Sequence, residues 1–251
     1  MANTTHHTIV ELNGVSKTFA NGTTALSGFD ISVQRGDFLC LLGASGCGKS
    51  TVLRLLADLD VPSSGNVMWS DTQARESLSM VLQEATLLPW ATVDDNVWMP
   101  LRIKGISKTD AASRIATALE LVGLSDSAAL YPRELSGGMK MRVSLARALV
   151  SEPSVLLLDE PFAALDEITR FRLNDELLTL RGKLDCTVIF VTHSVFESAY
   201  LANRVAVMDD MGKISEEIAI DAPYPRTSEF RSSSYYTKLC AKISAALERA
   251  A

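Results

Sequence analysis

Short apolar runs alternate with stretches of helical periodicity over most of the chain. A run that is almost wholly apolar is expected for a strand covered on both faces of a sheet. The runs of this kind are Phe38 to Leu42, Met80 to Leu82, Val155 to Leu158, Val188 to Val191 and Val205 to Met208. Strands separated by helical segments are typical of an α/β fold with a mostly parallel sheet. The pattern therefore predicts that architecture.

The first 35 residues follow a different pattern, in which apolar and polar positions alternate. The apolar positions are Ile9, Val10 and Leu12, and then Leu26, Phe29, Ile31 and Val33. Asn21-Gly22 lies between the two groups, and this dipeptide favours a hairpin turn. An antiparallel β element is therefore predicted at the start of the chain.

Helical patterns dominate two later regions. Between about residues 93 and 150 no strand pattern occurs. One helical face there carries Ala111, Ile115, Ala118, Leu119 and Val122. After Pro223 and Pro225, apolar residues recur at helical spacing: Tyr236, Leu239, Ile243 and Leu247. We predict a single domain over residues 1–251, with a helical subdomain at about 93–150 and a C-terminal tail and helix at about 223–251.

Composition and charge exclude several classes of function. The 251 residues are 47% hydrophobic and 22% charged, as in a globular protein. The net charge of −6 has the wrong sign for nonspecific binding of nucleic acid. No apolar run approaches the roughly 18 residues of a membrane span, and the first residues lack a secretory signal pattern. Cysteine and histidine spacing does not predict a structural zinc site.

Residues 43–50 match the phosphate-loop pattern G-x-x-x-x-G-K-[ST] between a predicted strand and an apolar helix, Val52 to Leu59. The loop comprises Gly43, Ala44, Ser45, Gly46, Cys47, Gly48, Lys49 and Ser50, followed by Thr51. Its N–H groups and the helix N-terminus would bind phosphate oxygens. Lys49 would contact the β- and γ-phosphates, and the Ser50 hydroxyl would ligate Mg²⁺. Cys47, close to Lys49 and a helix N-terminus, is predicted to favour the thiolate.

Two further motifs extend this chemistry. The strand at Val155 ends in Asp159, placed to hold Mg²⁺ through water, and Glu160, placed to orient a water that attacks the γ-phosphate. Alternatively, these carboxylates cap the segment that follows. Ser136, Gly137 and Gly138 precede another helix and form a second candidate anion site, which suggests a second copy of the protein; the alternative is a simple helix cap.

With these motifs the chain resembles the nucleotide-binding subunit of an ABC transporter, and the resemblance covers nearly all of it. The motifs follow the family's order: Walker A at 43–50, the Q-loop at Gln83, the signature at 135–139, Walker B at Asp159 and Glu160, the D-loop at 164–166 and the H-switch at His193. Asp58 stands where the family commonly has glycine, and Lys140-Met141 replace the usual Gln or Arg.

The resemblance implies a head-to-tail dimer that hydrolyses ATP with Mg²⁺. The second ATPase subunit is expected to be another copy of this chain, and the alternative is a related ATPase. The P-loop of one subunit and Ser136, Gly137 and Gly138 of the other would sandwich each ATP. Further implied roles are adenine stacking by Phe19, catalysis and metal binding by Gln83, contact across the interface by Asp166, and γ-phosphate contact by His193. From the residues alone, Phe19 is as readily a core residue, Gln83 a strand-end polar group and His193 a structural histidine.

Three stretches, residues 87–90, 160–167 and 192–198, resemble the nitrate, sulfonate and taurine branch of bacterial importers. That likeness implies separate membrane permease subunits, an extracytoplasmic solute-binding protein, and a peripheral position on the cytoplasmic face of the plasma (inner) membrane. Leu87, Leu88 and Trp90 are a candidate docking surface for the permease, or else pack inside the helical region. The other functions considered are a separate-chain exporter, a soluble ABC ATPase in translation or DNA maintenance, and a nucleotide-binding regulator without turnover.

Overall fold

A computed structural model describes residues 7–163, 165–183, 186–224 and 226–250. In these ranges the strands are β1 Thr8–Thr18, β2 Thr24–Gln34, β3 Phe38–Leu42, β4 Ser64–Trp69, β5 Leu78–Val81, β6 Val155–Asp159, β7 Thr187–Thr192, β8 Arg204–Met208 and β9 Ile214–Ala219. The α-helices are α1 Lys49–Leu56, α2 Thr72–Glu76, α3 Val93–Ile103, α4 Lys108–Leu121, α5 Gly137–Leu149, α6 Glu167–Lys183, α7 Val195–Leu201, α8 Ser228–Arg231 and α9 Ser234–Ala250.

The main sheet has six strands in the order β5-β6-β7-β3-β8-β9, and only β9 is antiparallel to its neighbour. Every residue of β3, β6 and β7 is buried, because α1, β1 and β2 pack on one face of the sheet and helices that include α5, α7 and α9 pack on the other. The carboxyl ends of the parallel strands meet at one edge, which brings together the loops after β3, β5, β6 and β7. The predicted mostly parallel α/β fold is confirmed.

The N-terminal element is a second, antiparallel sheet in the order β2-β1-β4. The hairpin turn lies where it was predicted, and Gly22 adopts a φ of 85° there. Strand β4 was not predicted, because it is an edge strand with mostly exposed or half-buried residues and no apolar run.

Helices α3, α4 and α5 occupy the stretch from 93 to 149 and pack together around a shared core. The side chains of Thr92, Ser107 and Ser136 cap their N-termini. The amphipathic C-terminal helix is found as α9, with Tyr236 and Ile243 among its buried residues. The subdomain boundaries themselves stay a prediction. No described helix is long and apolar enough to cross a membrane.

Two helices differ from their predicted bounds. The helix predicted from Val52 to Leu59 begins at Lys49 and ends at Leu56. It ends early because Asp58 adopts a left-handed φ of 55°, which leaves Leu59 exposed. The helix predicted at about Lys140 to Val150 is α5, which begins at Gly137, within the glycine motif, because Ser136 caps it at that point.

Candidate nucleotide site

The loop between β3 and α1 needs glycine at two positions. Gly48 has a φ of 100°, and a Cβ atom there would lie 2.3 Å from the Ala25 carbonyl oxygen. At Gly43 a Cβ atom would lie 2.7 Å from the Cys47 Sγ and 3.0 Å from the Met208 carbonyl oxygen. A side chain at either position would push the loop out of this conformation.

Lys49 lies inside this loop and is only 4% exposed. Its Nζ donates hydrogen bonds to the carbonyl oxygens of Gly43 at 2.9 Å and Ala44 at 2.7 Å. The loop thereby holds a positive charge next to its own backbone N–H groups. Because a buried cation and helix N–H groups both attract negative charge, this end of α1 is suited to bind an anion.

Ser50 and Asp159 come together from distant parts of the sequence. The Ser50 hydroxyl donates to Asp159 Oδ1 at 2.8 Å. Burial raises the pKa of Asp159 above its usual range, and the Ser50 hydrogen bond opposes this. A single carboxylate beside a hydroxyl fits Mg²⁺, which is typically bound by one or two carboxylates together with substrate phosphates. In the described ranges no group of three His, Cys, Asp or Glu residues could hold a metal by itself.

Glu160 lies at the centre of the site in a strained backbone conformation, with a φ of 43°. Its Oε1 is 3.7 Å from the Lys49 Nζ, and its Oε2 is 3.0 Å from His193 Nδ1. Non-glycine residues with positive φ cost about 1 to 3 kcal/mol and cluster at functional sites. The Glu160 side chain faces Lys49 and His193, so it does not serve as the helix cap considered above.

The charge state of the Cys47 thiol differs from the prediction. Burial raises the pKa of its thiol, and the nearby Lys49 charge lowers it by less. The Sγ is 3.9 Å from the Lys49 Nζ, and the residue is 4% exposed. The prediction that Cys47 favours the thiolate is therefore wrong, because removal from water outweighs the adjacent ammonium.

Three further predicted site residues, Phe19, Gln83 and Asp166, are half-buried or exposed. Phe19 is half-buried with its ring 5.3 Å from the Lys17 Nζ, so it is not a core residue. Gln83 is exposed beyond the end of β5, and within the described contacts its side chain makes no hydrogen bond to Ser50 or Asp159. Asp166 accepts hydrogen bonds from the Thr169 backbone N–H and hydroxyl, which lower its pKa. Ala164 lies outside the described residues.

Within the signature, Ser136 and Gly137 are exposed, whereas Leu135 is buried and Gly138 and Met139 are half-buried. Ser136 Oγ accepts the Met139 N–H at 3.3 Å, so the helix-cap interpretation is correct as a local fact. A Cβ atom at Gly137 would meet nothing within 4 Å. This N-terminus of α5 thus leaves room for a ligand at Gly137. Its first turn contains no acidic residue that would repel an anion.

The apolar residues of the loop after Gln83 differ in their exposure to solvent. Trp90 is 75% exposed, whereas Leu87 packs against the main core. Asn96 is buried and holds the loop by hydrogen bonds with the backbone of Leu88 and Ala91. Trp90 therefore remains available to a partner, and Leu87 does not.

Sequence reasoning missed Arg147, which connects two of these segments. This α5 residue donates to the carbonyl oxygens of Thr86 at 2.9 Å and Ala85 at 3.0 Å. The signature helix is thereby joined to the loop after Gln83. An arginine at this spacing looks like an ordinary surface residue of a helix, so no sequence pattern distinguishes it.

Comparisons with known proteins identify the family of this chain. The family model described as "ABC transporter" matches residues 26–163. Nitrate import ATP-binding protein NrtD of Synechocystis sp. is 40% identical over 87% of this chain and 84% of its own length. Aliphatic sulfonates import ATP-binding protein SsuB 2 of Mesorhizobium japonicum is 47% identical over 81% of this chain and 78% of its own.

A solved structure agrees as well. The dimeric, post-hydrolysis structure of the ATP-binding cassette MJ0796 with ADP and Pi has a TM-score of 0.76 and 30% identity, and covers 86% of this chain and 100% of that one. Sequence, fold and site geometry lead to the same assignment. This chain belongs to the ABC transporter family and is one of its ATPase cassettes.

Proposed function

We propose that two copies of this chain bind ATP between them and use its hydrolysis to drive import through a separate membrane permease. The observation that carries the proposal is the placement of Glu160. Its carboxylate lies between the Lys49 ammonium and the His193 ring, beside the Ser50–Asp159 pair. An oriented carboxylate next to a phosphate site is the arrangement that water-mediated phosphoryl transfer requires.

Each residue then has a defined task. The loop N–H groups and Lys49 bind the phosphates, and Thr51 follows them in the first turn of α1. Ser50 and Asp159 would hold Mg²⁺, which supplies neutralisation of phosphate charge when bound, and Gln83 would add a further oxygen ligand. Glu160 accepts a hydrogen bond from the attacking water and orients it, while His193 fixes Glu160 and reaches the γ-phosphate.

The second copy supplies what one chain lacks. Ser136, Gly137 and Gly138 lie at the N-terminus of α5, whereas Lys49 lies in the other glycine motif, with Glu160 and His193 beside it. In a head-to-tail dimer the two motifs face each other across ATP, with Asp166 at the contact and Phe19 against the adenine. The MJ0796 cassette, which has the same fold, is itself a dimer in its solved structure with ADP and Pi.

The relatives support the importer class and its cargo. NrtD and SsuB 2 are named as import ATP-binding proteins for nitrate and for aliphatic sulfonates. We infer cargo of that kind, small anions with a nitrate or sulfonate group, a permease contacted through Trp90, and an extracytoplasmic solute-binding protein. The cassette would then act at the cytoplasmic face of the plasma membrane. Mass spectrometry of chains that co-purify from gently solubilised membranes tests these partners.

The direct test of the function is Glu160→Gln. The amide keeps the size of the side chain but cannot accept the proton or orient the water as a carboxylate does, so ATP turnover should fall by about 1000-fold or more. ATP binding should persist, because Lys49 and Ser50 are unchanged. Glu152→Gln is the matched control: Glu152 also has a positive φ, of 51°, but its exposed carboxylate faces Arg114 and not the phosphate loop. Turnover of Glu160→Gln at the rate of Glu152→Gln would refute the assignment.

A further inference from the structure

Glu197 is a buried carboxylate that the reaction described above does not use. It lies in the first turn of α7, four residues after His193, and is 6% exposed. Its Oε2 accepts a hydrogen bond from the Thr192 hydroxyl, which in turn accepts the Ser194 N–H at 3.0 Å. Glu197 thus holds the residues on both sides of His193.

Arg170 approaches the same carboxylate from helix α6. Its Nε lies 3.6 Å from Glu197 Oε1. The same guanidinium donates to the Leu165 carbonyl oxygen at 3.1 Å, and the Arg170 backbone N–H donates to the Asp166 carbonyl oxygen at 2.9 Å. Arg170 therefore contacts the segment that carries Asp166 while it faces Glu197.

The charges of this pair have few other partners. Glu197 Oε1 and Arg170 Nε are both buried, and neither has a hydrogen-bond partner in the described part of the chain. Burial raises the pKa of Glu197, while the Thr192 hydroxyl and then the Arg170 charge act against it. Removing one member of such a pair leaves an uncompensated buried charge on the other. Each charge thus depends on the other for its compensation.

We propose that Arg170 and Glu197 are positioning residues that join the loop carrying His193 to the loop carrying Asp166. The two loops then move as one unit toward the ATP that is shared with the second copy. This inference rests on the proposed function, because that function gives His193 and Asp166 their roles at the ATP. The pair itself touches no nucleotide and acts through the loops that it joins.

The first test measures steady-state ATP hydrolysis by Glu197→Gln. The amide oxygen still accepts the Thr192 hydroxyl, but the charge facing Arg170 is lost. We expect kcat to fall about tenfold, as for a misplaced catalytic group, with the KM for ATP within about twofold of wild type. Glu216→Gln is the matched control, because it removes a carboxylate on β9 that pairs with the exposed Arg249 at 2.6 Å, away from both loops. Its kcat and KM should stay at wild-type values.

A double-mutant cycle and hydrogen exchange separate positioning from general stability. Arg170→Gln should lower kcat like Glu197→Gln, and the double variant should be no slower than the slower single variant. Exchange of backbone amides should rise in residues 192–198 of Arg170→Gln and in residues 165–170 of Glu197→Gln. The control should change neither segment. If Glu197→Gln does not fold, Arg170→Lys is tested in its place. Lysine keeps the positive charge but lacks the planar guanidinium that also donates to the Leu165 carbonyl oxygen. We expect kcat of Arg170→Lys to fall about threefold.

The inference is overturned if Glu197→Gln, or Arg170→Lys in its place, keeps a wild-type kcat. Independent, multiplicative losses in the cycle, or increased exchange confined to the mutated loop, would also overturn it. Failure of the proposed function gives a different result, since Glu160→Gln would then retain turnover. The exchange measurement needs no ATP and reports on the pair in either case.

Discussion

The chain contains two glycine motifs at helix N-termini, and they differ in their surroundings. At α1, Gly48 is pressed against the backbone of β2, Lys49 is buried, and Glu160 and His193 lie beside the motif. At α5, a Cβ atom at Gly137 would meet nothing within 4 Å, a Cβ atom at Gly138 would lie 3.2 Å from the Thr169 side chain, and Ser136 caps the turn. The first motif therefore lies beside a cation, a carboxylate and a histidine, whereas the second motif leaves the backbone of Gly137 exposed to solvent.

This difference explains how one sequence can contain two candidate anion sites but one candidate active site. A helix N-terminus attracts phosphate wherever its N–H groups are free, but hydrolysis also needs a cation, a metal-binding pair and an oriented carboxylate. Among the residues that the structure describes, those groups lie beside the first motif and not beside the second. The second motif can complete such a site in another copy, and this is why the proposed reaction requires a dimer.

The largest expected effect contrasts the two glycines. Gly48→Ala should lower the free energy of unfolding by about 3 kcal/mol, because it combines a strained positive φ with a 2.3 Å clash against Ala25. Gly137→Ala should change it by less than about 0.5 kcal/mol, because alanine is a good helix former and nothing obstructs its Cβ. Chemical denaturation of both variants measures the difference. Equal effects would show that the two motifs are packed alike.

The next effect concerns ATP affinity of the isolated chain. Lys49→Ala should weaken ATP binding about 50-fold, because it removes the buried cation of the first motif. Lys104→Ala removes an exposed lysine at the end of α3 and should bind ATP like wild type. Calorimetry at protein concentrations too low for dimers checks both. Unchanged binding by Lys49→Ala would place the phosphates elsewhere.

The smallest effect concerns the thiol within the first motif. Since burial raises the pKa of Cys47, less of it is thiolate at pH 7 than in a free cysteine, and the thiolate is the form that reacts. Maleimide should therefore modify Cys47 more slowly than a cysteine peptide at pH 7, and its rate should rise at higher pH than the rate of the peptide does. MgATP should slow it further. Mass spectrometry of the 38–54 peptide follows the reaction, and faster modification than the peptide at pH 7 would contradict the assigned burial.

The sequence alone predicted those parts of the fold that are determined by residues close together along the chain. The buried strands β3, β6 and β7 were evident because both faces are apolar, and the first glycine motif because strand, loop and helix are contiguous. Strands β4 and β9 were missed, because an edge strand with one exposed face needs no apolar run.

Contacts between distant segments could not be predicted in the same way. The distance of 3.0 Å between Glu160 and His193 follows from the adjacency of β6 and β7, which no local pattern specifies. Arg170, Glu197 and Arg147 look like ordinary helix charges until the packing places their partners beside them. For Cys47, the sequence identified the neighbouring Lys49 charge correctly but predicted the wrong charge state of the thiol. The burial that raises the pKa of the thiol becomes visible in the folded structure.

The central claim is that the two motifs of different copies form one site, and a mixing experiment tests it. One variant carries Lys49→Ala, which removes the cation of its own loop, and the other carries Ser136→Arg, which places a bulky cation in its signature. Both also carry Glu160→Gln, so that ATP is not consumed. In a mixed dimer the intact loop of the Ser136→Arg chain faces the intact signature of the Lys49→Ala chain.

The measurement is ATP-dependent association of differently labelled chains, followed by energy transfer in MgATP over a range of concentrations. Each variant alone has two broken sites and should stay monomeric. The mixture has one intact site and should form mixed dimers. If the mixture associates no better than either variant alone, the shared site is wrong for this protein, and Ser136 to Gly138 only cap their own helix.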